Sequence, residues 1–243
     1  MSASTTGIEG ITFDFWNTLV TEARSADHRT QRWVSALHAH GVEISAAELD
    51  SGLALMWEWF QRQWEGNAVV TPAAAVDFAI DAMAVESSPP LRDAMITALH
   101  DGFDPVEMEI APGIGDALEQ LKSGGLRIGI ICDVGLTPSV TLRSYLEHHG
   151  LLGYFDHWSF SDDVGCYKPD PAIFAHALAG LGVSDPAAMA HIGDLRRTDI
   201  AGARSVGWLA LRYSGLADDK SHYPDGDIVV AHHSELARAV GLG

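Results

Sequence analysis

From Ala111 to Val240 the chain alternates between short apolar runs of strand length and amphipathic stretches of helix length. A strand, a crossover helix and a second strand repeated in that order build a parallel sheet with helices on its faces. The pattern predicts a helix near 114–123 ending at Gly124-Gly125, a strand over 126–132, and a helix over 138–149 before Gly150. Further strands are expected at 158–161, 189–192, 209–213 and 228–230, with helices near 171–181, 199–206 and 234–240. One strand precedes them all. Ile11-Thr12-Phe13-Asp14-Phe15 is a β-prone run that stops abruptly at Trp16-Asn17-Thr18, as a buried parallel strand entering a loop does.

Between that strand and Ala111 the period changes. Trp33 and Leu37, then Leu53, Trp57, Phe60 and Trp64, then Val76, Ile80 and Met83, and finally Leu91, Met95 and Leu99 recur at helical spacing. Asp27, Ser45, Thr71 and Ser88 stand where N-caps belong, the last two before prolines suited to a first turn. The expected fold is therefore α/β: a Rossmann-like parallel-sheet core of residues 1–22 and 108–243, with an inserted α-helical cap over 23–107. A chain of 243 residues, 47% hydrophobic, is long enough for both.

Charge narrows the partners. With 33 Asp and Glu against 15 Lys and Arg the net charge is −18, which repels a polyanionic backbone, so no nucleic acid is expected. Cys132 and Cys166 are too few for a disulfide framework and suit a reducing compartment. Met1 to Gly10 shows no basic stretch followed by an apolar run, and no segment approaches the ~18 apolar residues that span a bilayer. A soluble, cytoplasmic monomer or homodimer with no membrane partner is the expectation.

In a parallel sheet the ligand crevice lies beyond the carboxyl ends of the strands. Four separate segments bring reactive side chains to those ends: Asp14, Cys132 with Asp133, Lys168, and Asp194 with Asp199. Any one aspartate there also suits a turn or a helix cap; the set is harder to explain that way.

Phe13-Asp14-Phe15-Trp16-Asn17-Thr18-Leu19, the strand ending in Cys132, Lys168-Pro169-Asp170-Pro171, and Gly193-Asp194 through Asp199-Ile200-Ala201-Gly202-Ala203 resemble the four ordered motifs of the haloacid dehalogenase superfamily. The likeness runs over roughly residues 10 to 215, and the helical insertion falls where that family places its cap. It implies that Asp14 attacks the substrate covalently, with Mg²⁺ held by Asp14, the Trp16 backbone carbonyl, Asp194 and Asp199, the last as ligand or support. Lys168 would hold the nucleophile and balance the charge of the transferring group, and Thr18 would face the substrate.

The first two motifs depart from the common pattern. Phosphatases of the family carry a second Asp two residues after the nucleophile to protonate the leaving group; here that position is Trp16, a loss of ~10²–10⁴ in rate for a poor leaving group. Cys132 replaces the usual hydroxyl residue and offers only a weak S–H donor. Asp133 either substitutes for the missing acid, caps the next helix, or bonds Arg196. In the cap, Trp57, Phe60 and Trp64 share a helical face expected to be bundle core, leaving Trp59 to stack on a flat or apolar substrate moiety across the crevice, as Trp16 would from its floor. Arg24, Arg29 and Arg32 are candidates to grip a second anionic group, and Arg196 either contacts substrate or pairs with an acidic neighbour. The leading expectation is a Mg²⁺-dependent phosphatase or phosphotransferase acting on a small phosphorylated metabolite, with cap opening as a gate. A metal-independent 2-haloacid dehalogenase, suggested by the aromatic at 16, and a catalytically silent ligand-binding homologue stand as alternatives.

Overall fold

The computed structural model describes residues 7–22, 26–100 and 108–242, giving the backbone alone for residues 22 and 26–29. Arg24 and the side chains of Asp27 and Arg29 thus lie outside the described residues. The chain forms two compact units. One comprises Met1–Thr21, Glu109–Asp133 and Leu146–Gly243; the other comprises Glu22–Met108 and Val134–Tyr145.

The first unit is built on strands β1 (Gly10–Phe13), β4 (Arg127–Cys132), β5 (His157–Phe160), β6 (Met189–Gly193), β7 (Leu209–Tyr213) and β8 (Ile228–Val230). They form one sheet in the order β5-β4-β1-β6-β7-β8, every pair parallel. Ile11, Phe13, Ile128, Ile130, Ile192 and Leu211 are fully buried, as strands covered on both faces require. Helix α8 (Pro171–Leu181) packs on β4 and β5 and α9 (Ala201–Ser205) on β7, while α5 (Ile114–Ser123) meets β4 and α10 (Leu236–Ala239). From β1 the chain runs outward through β4 and β5 on one side, crosses back to β6 on the other flank of β1, and runs outward again through β7 and β8. This places the carboxyl end of β1 at the switch point of the sheet, where a crevice opens.

The second unit contains α1 (Ala26–Ala39), α2 (Ala46–Glu65), α3 (Pro72–Ala82) and α4 (Pro89–His100). Three of the four expected caps are present: Ser45 and Glu48 form a capping box, Thr71 accepts from the Ala74 N–H at 3.2 Å, and Ser88 from the Leu91 N–H at 3.4 Å; α1 already begins at Ala26, which puts Asp27 inside its first turn instead of at its cap. Trp33, Leu37, Leu49, Met56, Phe60, Ile80 and Met95 pack in its core. The tryptophans divide differently from the sequence expectation. Trp57 is 38% exposed at the margin, edge-on to Phe60, whereas Trp59 packs against the core with its ring stacked on Phe78 at 4.9 Å. Helical spacing alone misses this because the apolar stripe of a 20-residue helix drifts around its axis.

Three short elements carry too few residues for a periodic signal: β2 (Val20–Glu22) and β3 (Met108–Ile110), which pair, and α7 (Ser161–Val164). No described helix is long and apolar enough to cross a membrane.

His233 supports the loop after β1 from below. Its Nε2–H donates to the Thr18 carbonyl at 2.8 Å, its ring stacks on Tyr213 at 4.2 Å, and its Nδ1 is buried without a hydrogen-bond partner. Burial, with no acceptor for a second proton, lowers its pKa from 6.5 to about 4. Above pH 6.5 both folded and unfolded chains carry this imidazole neutral. As pH falls toward 4 only the unfolded chain gains the proton, so stability is lost, by about 2 kcal/mol between pH 7.5 and 5 for this group. His233→Gln keeps a donor without a titrating ring. Urea midpoints of the variant should fall less steeply over that range than those of the wild type; equal slopes would assign the acid sensitivity elsewhere.

Candidate active site

Asp14 follows β1 directly. Its N–H donates to the Ile192 carbonyl at 2.8 Å, prolonging the β1–β6 ladder by one bond and pinning the carboxylate at the switch point. The loop beyond is tight: Asn17 adopts φ 53°, and the Leu19 and Val20 N–H groups both return to the Phe15 carbonyl. Trp16 is half-buried with its ring edge-on to Phe15. Thr18 is fully buried, and its hydroxyl donates to Asp14 Oδ2 at 3.4 Å. The contact that the structure gives Thr18 is therefore with the Asp14 carboxylate.

Lys168 comes from the turn before α8. Asp170 caps that helix through the Ala172 N–H at 2.8 Å and Pro171 occupies its first turn, so the chain bends sharply and Lys168 points inward. The Lys168 backbone N–H donates to Asp133 Oδ1 at 2.9 Å. Its ammonium, 2% exposed, donates to Asp14 Oδ1 at 2.5 Å, Asp199 Oδ1 at 2.7 Å and the Ile131 carbonyl at 3.0 Å. All three of its protons are used.

Asp194 follows β6, and Asp199 lies on a π-helical turn over Arg196–Ile200. This turn folds back on the strand so closely that a Cβ on Gly193 would stand 2.2 Å from Asp199 Cγ, which gives the Gly-Asp pair its physical reason. Asp199 Oδ2 accepts the Leu195 N–H at 2.9 Å and thereby closes its own turn. Arg196 turns to the loop 214–227: its N–H meets Asp219 at 2.7 Å and its guanidinium meets Asp225 at 3.1 Å and the Ser221 carbonyl at 3.1 Å. Arg212 ties the same loop through Asp225 and Asp218. Of the two roles foreseen for Arg196, the acidic pairing is the one formed.

Asp14, Asp194 and Asp199 bring carboxylate oxygens within 4.8 Å of one another, all buried. Against three carboxylates stands one ammonium. Burial first, and then Asp199, push the Asp14 carboxyl up to about 7 against the pull of Lys168; burial, Asp14 and Asp199 push Asp194 up to about 8. Burial also raises Asp199, but the Lys168 ammonium and the His191 hydrogen bond override it and hold this carboxyl well below its usual range. Burial and the neighbouring Asp14 keep the Cys132 thiol protonated, well above its ordinary pKa, so Cys132 is a neutral floor residue. With Lys168 and three aspartates ionised the cluster carries two negative charges in excess, matched in charge and donor type by one hard divalent cation.

The haloacid dehalogenase-like hydrolase family model matches residues 8–207. The chain belongs to this family of hydrolases. The haloacid dehalogenase-like hydrolase domain-containing protein 3 of Homo sapiens is 27% identical over 208 residues, covering 79% of this chain and 77% of its own. Glyceraldehyde 3-phosphate phosphatase of Methanopyrus kandleri is 24% identical, covering 91% of each chain. Among solved structures, a HAD phosphatase from Thermococcus onnurineus superposes with TM-score 0.65 at 23% identity over 96% of this hydrolase and 98% of its own chain. A 2-haloacid dehalogenase from Pseudomonas syringae gives 0.68 at 23% identity over the same shares, so these likenesses establish the fold.

Proposed function

We propose that this hydrolase is a Mg²⁺-dependent phosphatase or phosphotransferase of the cytoplasm, with residues 23–107 as its cap, acting on a small phosphorylated metabolite. The observation that carries the reading is the charge of the buried cluster: three carboxylates around one ammonium, two of them with raised pKa values. Such a site suits a divalent cation and a dianionic phosphoryl group together, whereas dehalogenation of an alkyl carboxylate needs neither. Phosphatases among the relatives agree.

Asp14 and Asp194, with the Trp16 carbonyl, would hold Mg²⁺, which supplies the positive charge that lets two anions meet. The Asp14 oxygen not taken by Lys168 attacks phosphorus, the bond from phosphorus to the leaving oxygen breaks, and an aspartyl phosphate forms. Water then attacks that phosphorus and returns the Asp14 carboxylate with inorganic phosphate; transfer to an acceptor hydroxyl balances in the same way. Lys168 stays protonated throughout, its pKa raised well above the ordinary value by Asp14 and Asp199 despite burial, and serves as a fixed charge.

The indole of Trp16 has no proton to give at neutral pH. Asp133 already accepts the Lys168 N–H through Oδ1, an arrangement that supports a positioning role for it. The substrates favoured are therefore those whose leaving group departs as a stable anion, such as acyl phosphates, phosphoanhydrides or aryl phosphates. Hydrolysis of p-nitrophenyl phosphate is expected with Mg²⁺ and is expected to disappear in excess chelator and return on adding Mg²⁺ back. Halide release from a 2-haloacid that persists in chelator would instead establish the dehalogenase reading, and loss of both activities the silent one.

A further inference from the structure

The chemistry described above leaves one buried ring without a task. His191 lies in the middle of β6, fully buried, and Thr12 is its register partner on β1, two residues before Asp14. His191 Nε2 stands 3.1 Å from Asp199 Oδ1 and Nδ1 stands 2.8 Å from the Thr12 hydroxyl oxygen. We propose that His191, its tautomer set by Thr12, is a positioning residue that aims Asp199 at Lys168; its kinetic consequence rests on the phosphoryl-transfer reading.

An ionised carboxylate only accepts, so the short contact to Asp199 requires the proton on Nε2. Nδ1 faces a hydroxyl instead of a carboxylate and therefore receives the Thr12 O–H. The alternative acceptor of that hydroxyl, the Ala190 carbonyl, is 3.4 Å away and makes the weaker bond. Phe174 packs edge-on against the ring, with centroids 5.4 Å apart, and fixes its plane. Asp199 is consequently held at both oxygens: the Leu195 N–H and, more loosely at 3.5 Å, the Thr198 hydroxyl on Oδ2, and Lys168 and His191 on Oδ1. Both of its oxygens are committed, which makes Asp199 the anchor of Lys168 and leaves cation binding chiefly to Asp14 and Asp194. The relay from Thr12 through His191, Asp199 and Lys168 to Asp14 crosses the β1–β6 pair twice and locks the two strands that deliver the reacting carboxylates. Removal of the His191 donor leaves Lys168 as the one group on Asp199 Oδ1, so the carboxylate shifts about its Leu195 contact and Lys168 loses a fixed partner while every contact made by a ligand stays in place.

The test has two independent arms. In the resting protein, nitrogen NMR of labelled histidine and lysine should show His191 protonated on Nε2 alone and a Lys168 ammonium resonance that shifts in His191→Phe and in the isosteric Thr12→Val. In turnover of p-nitrophenyl phosphate with Mg²⁺, His191→Phe should lower kcat on the order of 10–100-fold, the usual cost of such supporting groups, with KM changing far less. His191→Gln, whose amide reaches the Nε2 position, should recover most of kcat. A proton on Nδ1, an unmoved Lys168 resonance in His191→Phe, or a wild-type kcat in that variant overturns the proposal. A wild type that fails to turn over the ester defeats the phosphatase reading instead, and the NMR arm still decides the role of His191.

Discussion

Asp14→Asn should abolish Mg²⁺-dependent turnover of p-nitrophenyl phosphate, by on the order of 10⁴-fold or more, while the protein becomes no less stable. The two halves of that expectation have one cause. Asp14 is 6% exposed and its carboxyl is pushed up to about 7, chiefly by burial, so the fold tolerates the ionised form poorly. An acid whose folded pKa lies above its unfolded one destabilises the native state as pH rises through the window between the two values. The amide is isosteric and uncharged, keeps its place beside Thr18 and Lys168, and removes that penalty at pH 8. It cannot form the aspartyl phosphate. Thermal midpoints without divalent cation, set beside single-turnover assays with it, check both halves. Retained turnover would remove Asp14 from the nucleophile's role, and a large fall in midpoint would mean that the carboxylate is structural.

The carboxyl-end cluster was legible because a parallel sheet converts a list of strand ends into a place. Asp14, Lys168, Asp194 and Asp199 are far apart in sequence, yet each stands just beyond a strand or before a helix, and the topology allows such residues one meeting ground. His191 was not legible. Within Met189-Ala190-His191-Ile192-Gly193 it reads as one more strand residue, and only the β1–β6 register shows that it faces Thr12 and Asp199. The Thr18 contact with Asp14 was not legible either, because a hydroxyl in a loop gives no sign of what it meets; that depends on the positive φ at Asn17, which turns the chain back. The loop 214–227 has no periodicity, and its order comes from Asp218, Asp219 and Asp225 meeting Arg196 and Arg212, pairings that spacing cannot assign. Local pattern therefore carried the architecture, and tertiary register carried the supporting polar contacts.

Lys168→Met is expected to cost more stability than any other single change at the site, about 3–5 kcal/mol, because it strips the buried partner from two carboxylates while leaving them in place. The ammonium, 2% exposed, serves Asp14, Asp199 and the Ile131 carbonyl simultaneously. Catalysis should fall by roughly 10²–10³ in kcat from loss of the fixed charge alone. Lys168→Arg is not a rescue: a planar guanidinium cannot direct three protons to acceptors arranged around a compact ammonium. The informative comparison is the double variant Lys168→Met with Asp199→Asn. If the damage in Lys168→Met is unpaired charge, neutralising Asp199 should return a substantial part of the lost stability and none of the turnover, a non-additive pattern that denaturant midpoints and kcat read separately. Additive stability losses would instead assign Lys168 a packing role and leave its charge unimportant to the fold.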